Sequence, residues 1–319
     1  SASLPSQAAT GKKSPKQPPG RQISVRCLIT GIGGFTGGHL ARFLREQAGV
    51  TVFGVDSPAR PQPCVADFLC RDLRDQSAIR SFVLRVRPEA IFHLAGKTRS
   101  NSLEELLAAN VETTRVLLEL AAEIGCRILV PGSAAEYGFP RSLPLRETHP
   151  LEPVTPYGIS KARQTALALD YARKGVAAFL PRPFNLVGPG QPPTFICAEL
   201  ARRVVTLTDG QELVVPNPDT QRDFVDVRDV ARGYWEVLTR GRPGELYNLC
   251  TGIGHSLEEV ARLLLTADGR SASVRRAEPT DAREAGTIVG SCEKIHTELG
   301  WCPRIPLPAS LRQMPEEQQ

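Results

Sequence analysis

The chain has 319 residues, 41% of them apolar and 23% charged, with 27 Gly, 27 Pro and a mean hydropathy of −0.18. That composition is globular, of about two domains' length, and it argues against disorder, collagen or a membrane span, since no apolar run approaches the roughly 20 residues a bilayer demands. A net charge of +5, from 39 basic and 34 acidic residues, is matched by a basic tail and one anionic ligand site and speaks against nucleic acid as a partner.

Residues 1–20 are rich in Pro, Gly, Ser, Ala and Lys without periodicity and are expected to form a disordered tail. Basic residues there (Lys12, Lys13, Lys16) have no hydrophobic stretch behind them, so neither a signal peptide nor an anchor is expected, and the expected compartment is cytoplasmic. From Ser24 a strand (SVRCLIT) leads into a helix with Leu40, Phe43 and Leu44 on one face and then a second strand (TVFGVD), a βαβ unit. The rhythm continues through AIFHLAG, a long helix around 103–125, the strand RILVPG, a helix from Tyr157 to Lys174 and the strand VAAFLPRPF. Such alternation predicts a doubly wound parallel sheet with helices on both faces. After Asn185, GPGQPPTF, a helix near 198–206 and the short segments LVVP and RDFVDV suggest a smaller mixed lobe. A helix at VARGYWEVLTR, a strand ELYNLC, a helix at SLEEVARLLLTA and an amphipathic piece SCEKIHTELGW follow. The expected division is a Rossmann-type domain over 21–185, completed by about 226–252, with the lobe formed by 186–225 and 253–319. The eight cysteines are scattered with no Cys-x-x-Cys arrangement, so neither a metal site nor a disulfide framework is expected.

Several segments carry chemistry. Between the first strand and helix, Thr30-Gly31-Ile32-Gly33-Gly34-Phe35-Thr36-Gly37 has the glycines that permit a tight turn and let backbone amides approach a pyrophosphate at the helix N-terminus, which points to dinucleotide binding. Asp56 closes the second strand 25 positions after Gly31, where an acid can meet the adenosine ribose hydroxyls; this leans toward NAD(H) over NADP(H), although Arg60 nearby could receive a 2′-phosphate. Asp72 and Leu73 are candidates for the adenine, with a helix cap as the alternative for Asp72. Tyr157 and Lys161 stand at i, i+4, so phenol and ammonium share a helix face, and a nearby ammonium would lower the phenol's pKa as proton transfer requires. Ser133 follows a strand of the same sheet, at the carboxyl edge where ligands bind in open α/β sheets.

Together these segments resemble the extended short-chain dehydrogenase/reductase family acting on nucleotide sugars. Thr30–Gly37 is similar to its TGxxGFxG turn, His93-Leu94-Ala95 to its HLA segment, Asn110 to its helix Asn, Ser133 to its catalytic Ser/Thr and Tyr157/Lys161 to its YxxxK. The resemblance implies that Ser133, Tyr157 and Lys161 are catalytic. It also implies that Gly31, Gly34, Phe35, Thr36, Gly37, Asp56, Asp72, Leu73, Leu94, Ala95, Tyr157 and Lys161 meet the cofactor, and that the protein is a homodimer. The later segments RPFNxxGPGQ, RDFxDVRDV and YNxC resemble the branch of GDP-4-keto-6-deoxymannose reductases. By that likeness the substrate is a nucleotide-diphosphate sugar, GDP-linked, with Asn185 and Arg222 on the diphosphate. The branch's Arg-Pro-x-Asp stands here as Arg283-Glu284-Ala285-Gly286, which makes Arg283 a further phosphate candidate.

The family's 4,6-dehydratases place a Glu, often after an Asp, two residues before the Tyr-Gly tyrosine; here Ala134 and Ala135 stand at those positions. A methyl cannot transfer a proton, so reduction of a 4-keto sugar is the expected reaction. A 4-epimerase or redox-neutral dehydratase is the alternative, and a non-catalytic dinucleotide-binding protein a remote one.

Overall fold

The computed structural model describes residues 25–57, 65–100, 102–208, 210–277 and 286–314. The tail, Arg60 and Arg283 lie outside the described residues.

The first half alternates strands and helices: β1 (Val25–Thr30), α1 (Phe35–Arg45), β2 (Val50–Asp56), β3 (Asp67–Cys70), α2 (Gln76–Val86) and β4 (Ala90–His93). Then come α3 (Leu103–Leu107), α4 (Thr113–Ile124), β5 (Arg127–Leu129), α5 (Pro156–Arg173) and β6 (Ala178–Pro183). The expected long helix over 103–125 is one continuous run, α3 to α4, interrupted by a π-helical turn at Ala108–Glu112. Such a bulge re-aims side chains within a helix.

The second half contributes β7 (Asn185–Val187), α6 (Ile196–Thr206), β8 (Leu213–Val215), β9 (Gln221–Asp226), α7 (Val227–Arg240) and β10 (Leu246–Leu249). It ends with β11 (Gly254–Ser256), α8 (Leu257–Ala267), β12 (Val274–Arg276), α9 (Glu293–Leu299) and α10 (Leu307–Arg312).

Seven strands form one parallel sheet in the order β10-β6-β5-β4-β1-β2-β3. Chain order reverses between β1 and β4, and loops leaving the carboxyl ends of strands diverge at such a switch point and leave a crevice. Neighbouring strand residues serve opposite layers. Cys27 and Ile29 join Leu40 and Leu44 of α1 and Val230, Tyr234 and Val237 of α7. Leu28 joins Phe82 and Val83 of α2 and Leu117, Leu118 and Ala121 of α4. Strands buried on both faces read as continuous apolar runs, which is why β1 and β4 show no alternation.

A third core, under α6, α8 and α10 with Leu213, Val215 and Phe224, makes the mixed lobe; β9 there pairs with β7 (parallel) and β11 (antiparallel). The amphipathic piece 291–301, grouped with the lobe on sequence, docks differently. Ile295, Leu299 and Trp301 fill the layer of α1 and α7. Its spacing identifies an apolar face but not which layer covers it. Likewise, α3–α4 and α5 turn Leu117, Leu118 and Ala168 into the core.

Candidate active site

The turn after β1 is as tight as its glycines suggest. Gly31 has φ +70°, and a Cβ there would stand 2.7 Å from the backbone nitrogen of Ala95. At Gly37 a Cβ would stand 2.1 Å from the Gly31 carbonyl oxygen, so the start of α1 packs directly on the turn. Gly34 caps that helix without a side-chain hydrogen bond, and Phe35, Thr36 and Gly37 supply first-turn N–H groups that lack intrahelical acceptors. This cradle suits a pyrophosphate. Gly37→Ala is expected to cost about 1–3 kcal/mol of stability through overpacking. It should also weaken dinucleotide binding, and calorimetric titration beside thermal melts would check both effects.

Asp56 ends β2 beside that turn. Its Oδ2 accepts from the N–H of Gly33 at 2.7 Å and its Oδ1 from Ser57. The N–H of Arg71 donates to the Asp56 carbonyl, which brings the start of the 71–75 loop next to it. Within that loop Asp72 accepts from the backbone and guanidinium of Arg74, which hold its carboxyl below the usual range. The cap of α2 is Asp75, not Asp72. Leu73 packs partly on the layer of α2 and α4. Leu94 and Ala95 follow β4 directly, and Ala95 lies against Gly31.

Ser133 follows β5 and caps a short 3-10 turn, Ala134–Glu136, in a capping box closed by Glu136. Tyr157 sits in the first turn of α5, whose N-cap Thr155 accepts from Gly158 and whose Pro156 suits the first helical position. Ser133 lies near the Tyr157 phenol and favours its ionised form, yet desolvation dominates and pushes the phenol up to about 12. Lys161 is pushed down to about 8 by burial, with Glu136 acting the other way. Its Nζ donates to the carbonyl of Pro131 at 2.6 Å and to Gln164. The expectation that Lys161 lowers the Tyr157 pKa is therefore corrected: the two share a helix face, but the flexible stem turns the ammonium toward the loop after β5.

Asn110, in the π-helical turn, accepts from the N–H of Lys97 and donates to its carbonyl and to Ser160, whose hydroxyl bonds the Tyr157 carbonyl. It ties the loop after β4 to the turn of α5 that carries Tyr157 and Lys161.

Glu136, one residue from the dehydratase positions, points into the core. It is fully buried and forms a salt bridge at 2.8 Å with Arg182 of β6, also fully buried. Its Oε1 accepts from the N–H of Ser133 and from Thr165. Arg182 continues to the Tyr137 hydroxyl, which donates to Asn248. This pair was missed as a unit because its members stand 46 positions apart and only the β5–β6 pairing joins them.

Asn185 opens β7, and Arg222 lies on β9 across from His255, donating to the carbonyls of Gly286 and Gln221. Neighbouring Asp223 is buried, which raises its pKa, and accepts from Thr251, Gly252 and Gly290. Asp226 bonds Arg228 and Ser310.

The Gly-rich turn, the strand-end acid and the Ser-Tyr-Lys grouping at one switch point agree with the family model that matches residues 27–250, described as the NAD dependent epimerase/dehydratase family. The chain belongs to that family. It is an enzyme of the extended short-chain dehydrogenase/reductase type with a nicotinamide dinucleotide cofactor. This epimerase/dehydratase-family chain is 30% identical over 309 residues to the GDP-6-deoxy-D-mannose reductase of Pseudomonas aeruginosa, covering 91% of this chain and 96% of that one. Among solved structures it resembles RMD from Pseudomonas aeruginosa complexed with NADPH, at TM-score 0.80 and 28% identity, covering 92% and 97% of the two chains. It also resembles the UDP-glucose 4-epimerase of Thermus thermophilus in complex with NAD, at TM-score 0.81 and 26% identity, covering 92% and 98%. Among the described residues of this family member, no helix is long and apolar enough to cross a membrane, and no group of three or more His, Cys, Asp or Glu could hold a metal ion.

Proposed function

We propose that this chain reduces the 4-keto group of a nucleotide-activated 6-deoxy sugar, GDP-linked, with NADH or NADPH. The observation that carries the reading is the burial of Glu136 against Arg182. Elimination across C5 and C6 needs a carboxylate beside the sugar; Ala134 and Ala135 offer none, and Glu136 is committed to the core. A hydroxyl, a phenol and an ammonium are left, which suffice for hydride transfer at C4. The 30% identity to a GDP-6-deoxy-D-mannose reductase supports the same substrate class.

When bound, the nicotinamide supplies the hydride. Tyr157 gives the proton to the oxygen at C4, and Ser133 hydrogen-bonds that oxygen as charge develops on it. Lys161 holds the nicotinamide ribose with its ammonium. Asn185 and Arg222 bind the diphosphate, the guanidinium as a charge-assisted donor. Gly31, Gly34, Phe35, Thr36 and Gly37 take the pyrophosphate, Asp72 and Leu73 flank the adenine, and Leu94 and Ala95 line the crevice. Asp56 bonds the adenosine ribose and repels a 2′-phosphate, which favours NADH. Asp56→Ala should accordingly narrow the preference between the cofactors, as read from the ratio of their kcat/KM values. In solution the enzyme is a homodimer, which light scattering on the eluting protein would check.

The lysine sets a pH dependence. With Lys161 near 8, the ammonium is present below that pH and lost above it, whereas the phenol, near 12, stays protonated. The rate should fall as pH rises through about 8; a flat kcat/KM profile from pH 6 to 10 would contradict the role given to Lys161.

The deciding experiment mixes the purified protein anaerobically with GDP-4-keto-6-deoxymannose and NADH or NADPH, following nicotinamide absorbance and product mass. Stoichiometric cofactor loss with a gain of two hydrogens is expected. No consumption, with NAD released on denaturation, would instead favour a 4-epimerase, the reading that Asp56 and the likeness to a UDP-glucose 4-epimerase also support.

A further inference from the structure

Gln164 lies one turn beyond Lys161 on α5 and is 2% exposed. Its Oε1 accepts from the Lys161 ammonium, and its Nε2 donates to Thr114 Oγ1 of α4 at 2.7 Å. That hydroxyl has one proton, and it is spent on the carbonyl of Asn110, which can only accept. Thr114 Oγ1 must then accept from its other neighbour, His93 Nε2, at 2.9 Å. So His93 carries its proton on Nε2, and its Nδ1 accepts from Thr30 Oγ1 at 2.8 Å, which in turn accepts from the N–H of Ala95. Every proton in the chain from Ala95 to Lys161 has one direction. Reversing the Gln164 amide would set N–H groups against an ammonium and an oxygen against a hydroxyl whose proton is already engaged.

We propose that Gln164 is a positioning residue: its amide oxygen, held in one orientation by Thr114 with His93 and Thr30 behind it, fixes the Lys161 ammonium at the site. The inference deepens the proposed function and rests on that reading only where catalysis is measured.

The ionisable groups coupled to Lys161 are Glu136 from the turn after β5 and His93 of β4, with Tyr157 one turn back on the same helix. Glu136 is held by Arg182, and burial with the Lys161 charge pushes His93 down to about 3, so it stays neutral. Burial lowers the ammonium and Glu136 opposes it, and the acceptors that the ammonium touches are the Pro131 carbonyl and Gln164.

The test titrates Lys161 directly. Trace isotopic acetylation across pH 6 to 11, read by peptide mass spectrometry, gives its midpoint in the wild-type enzyme and in Gln164→Leu and Gln164→Glu. Losing an acceptor should lower the midpoint by about one pH unit, and gaining a carboxylate should raise it by about as much. Thr114→Val, which frees the amide to turn, should shift it downward by less. The same ordering is expected for the alkaline limb of the rate. A folded Gln164→Leu that titrates like the wild type would overturn the proposal; should that variant not fold, the Gln164→Glu and Thr114→Val comparison decides, with unmoved midpoints counting against it. Midpoints that move while the rate profile does not would leave Gln164 as the holder of Lys161 and sink the catalytic role of the lysine.

Discussion

Tyr157→Phe is expected to lower kcat by about 10²–10⁴-fold, the range over which one positioned acid contributes to a proton transfer. The phenol lies near Ser133 and sits one turn from Lys161 at the head of α5, and removing one oxygen leaves the helix cap at Thr155 and the Asn110–Ser160 tie untouched. Because those contacts hold the backbone, dinucleotide affinity should change by less than about threefold, and the thermal midpoint by no more than about 0.5 kcal/mol implies, as for substitutions away from packed features. Steady-state kinetics with fluorescence titration of the reduced cofactor separates these quantities. A kcat within tenfold of wild type would mean that the proton comes from elsewhere.

Breaking the buried pair should have the largest effect on stability. Arg182→Met leaves the Glu136 carboxylate buried with only Ser133 and Thr165 as partners, and losing one partner of a fully buried ion pair costs about 3–5 kcal/mol because the other charge is stranded. For a chain of ordinary stability that is a large share of the total. Glu136→Gln strands the guanidinium by the same logic. The double variant, Glu136→Gln with Arg182→Met, should recover much of the loss, since neither charge then remains unpaired. Urea unfolding followed by circular dichroism would measure all three. Single losses under about 1 kcal/mol, or strictly additive ones, would show that the pair is not coupled as its geometry implies. Even where the single variants fold, Ser133 should be less well held, because Glu136 accepts from its backbone N–H.

Some of this was legible in the amino-acid order because its causes are local. The glycines of residues 31–37 answer to the turn they make, and Asp56 stands at the end of a readable strand. Tyr157 and Lys161 share a face because a helix repeats every 3.6 residues. Strand–helix alternation alone implied the parallel sheet, since parallel strands need crossovers. The tertiary structure decided what depends on distant partners. Spacing put an ammonium near a phenol, but the Pro131 carbonyl and Gln164 draw that ammonium aside, and burial raises the phenol. The positions aligned on Tyr137 hold Ala134 and Ala135, and the pairing of Glu136 in the turn after β5 with Arg182 of β6 keeps that acid in the core. The amphipathic stretch 291–301 showed an apolar face, and only the packed layers assigned it to α1 and α7. The protonation of His93 follows from its partners Thr30 and Thr114 and from what Thr114 bonds in turn, a chain through β1, the α3–α4 run and α5 that no local pattern records. Periodicity and turn chemistry act over a few residues and are written in the chain, whereas charge pairing, desolvation and hydrogen-bond direction depend on which segments meet.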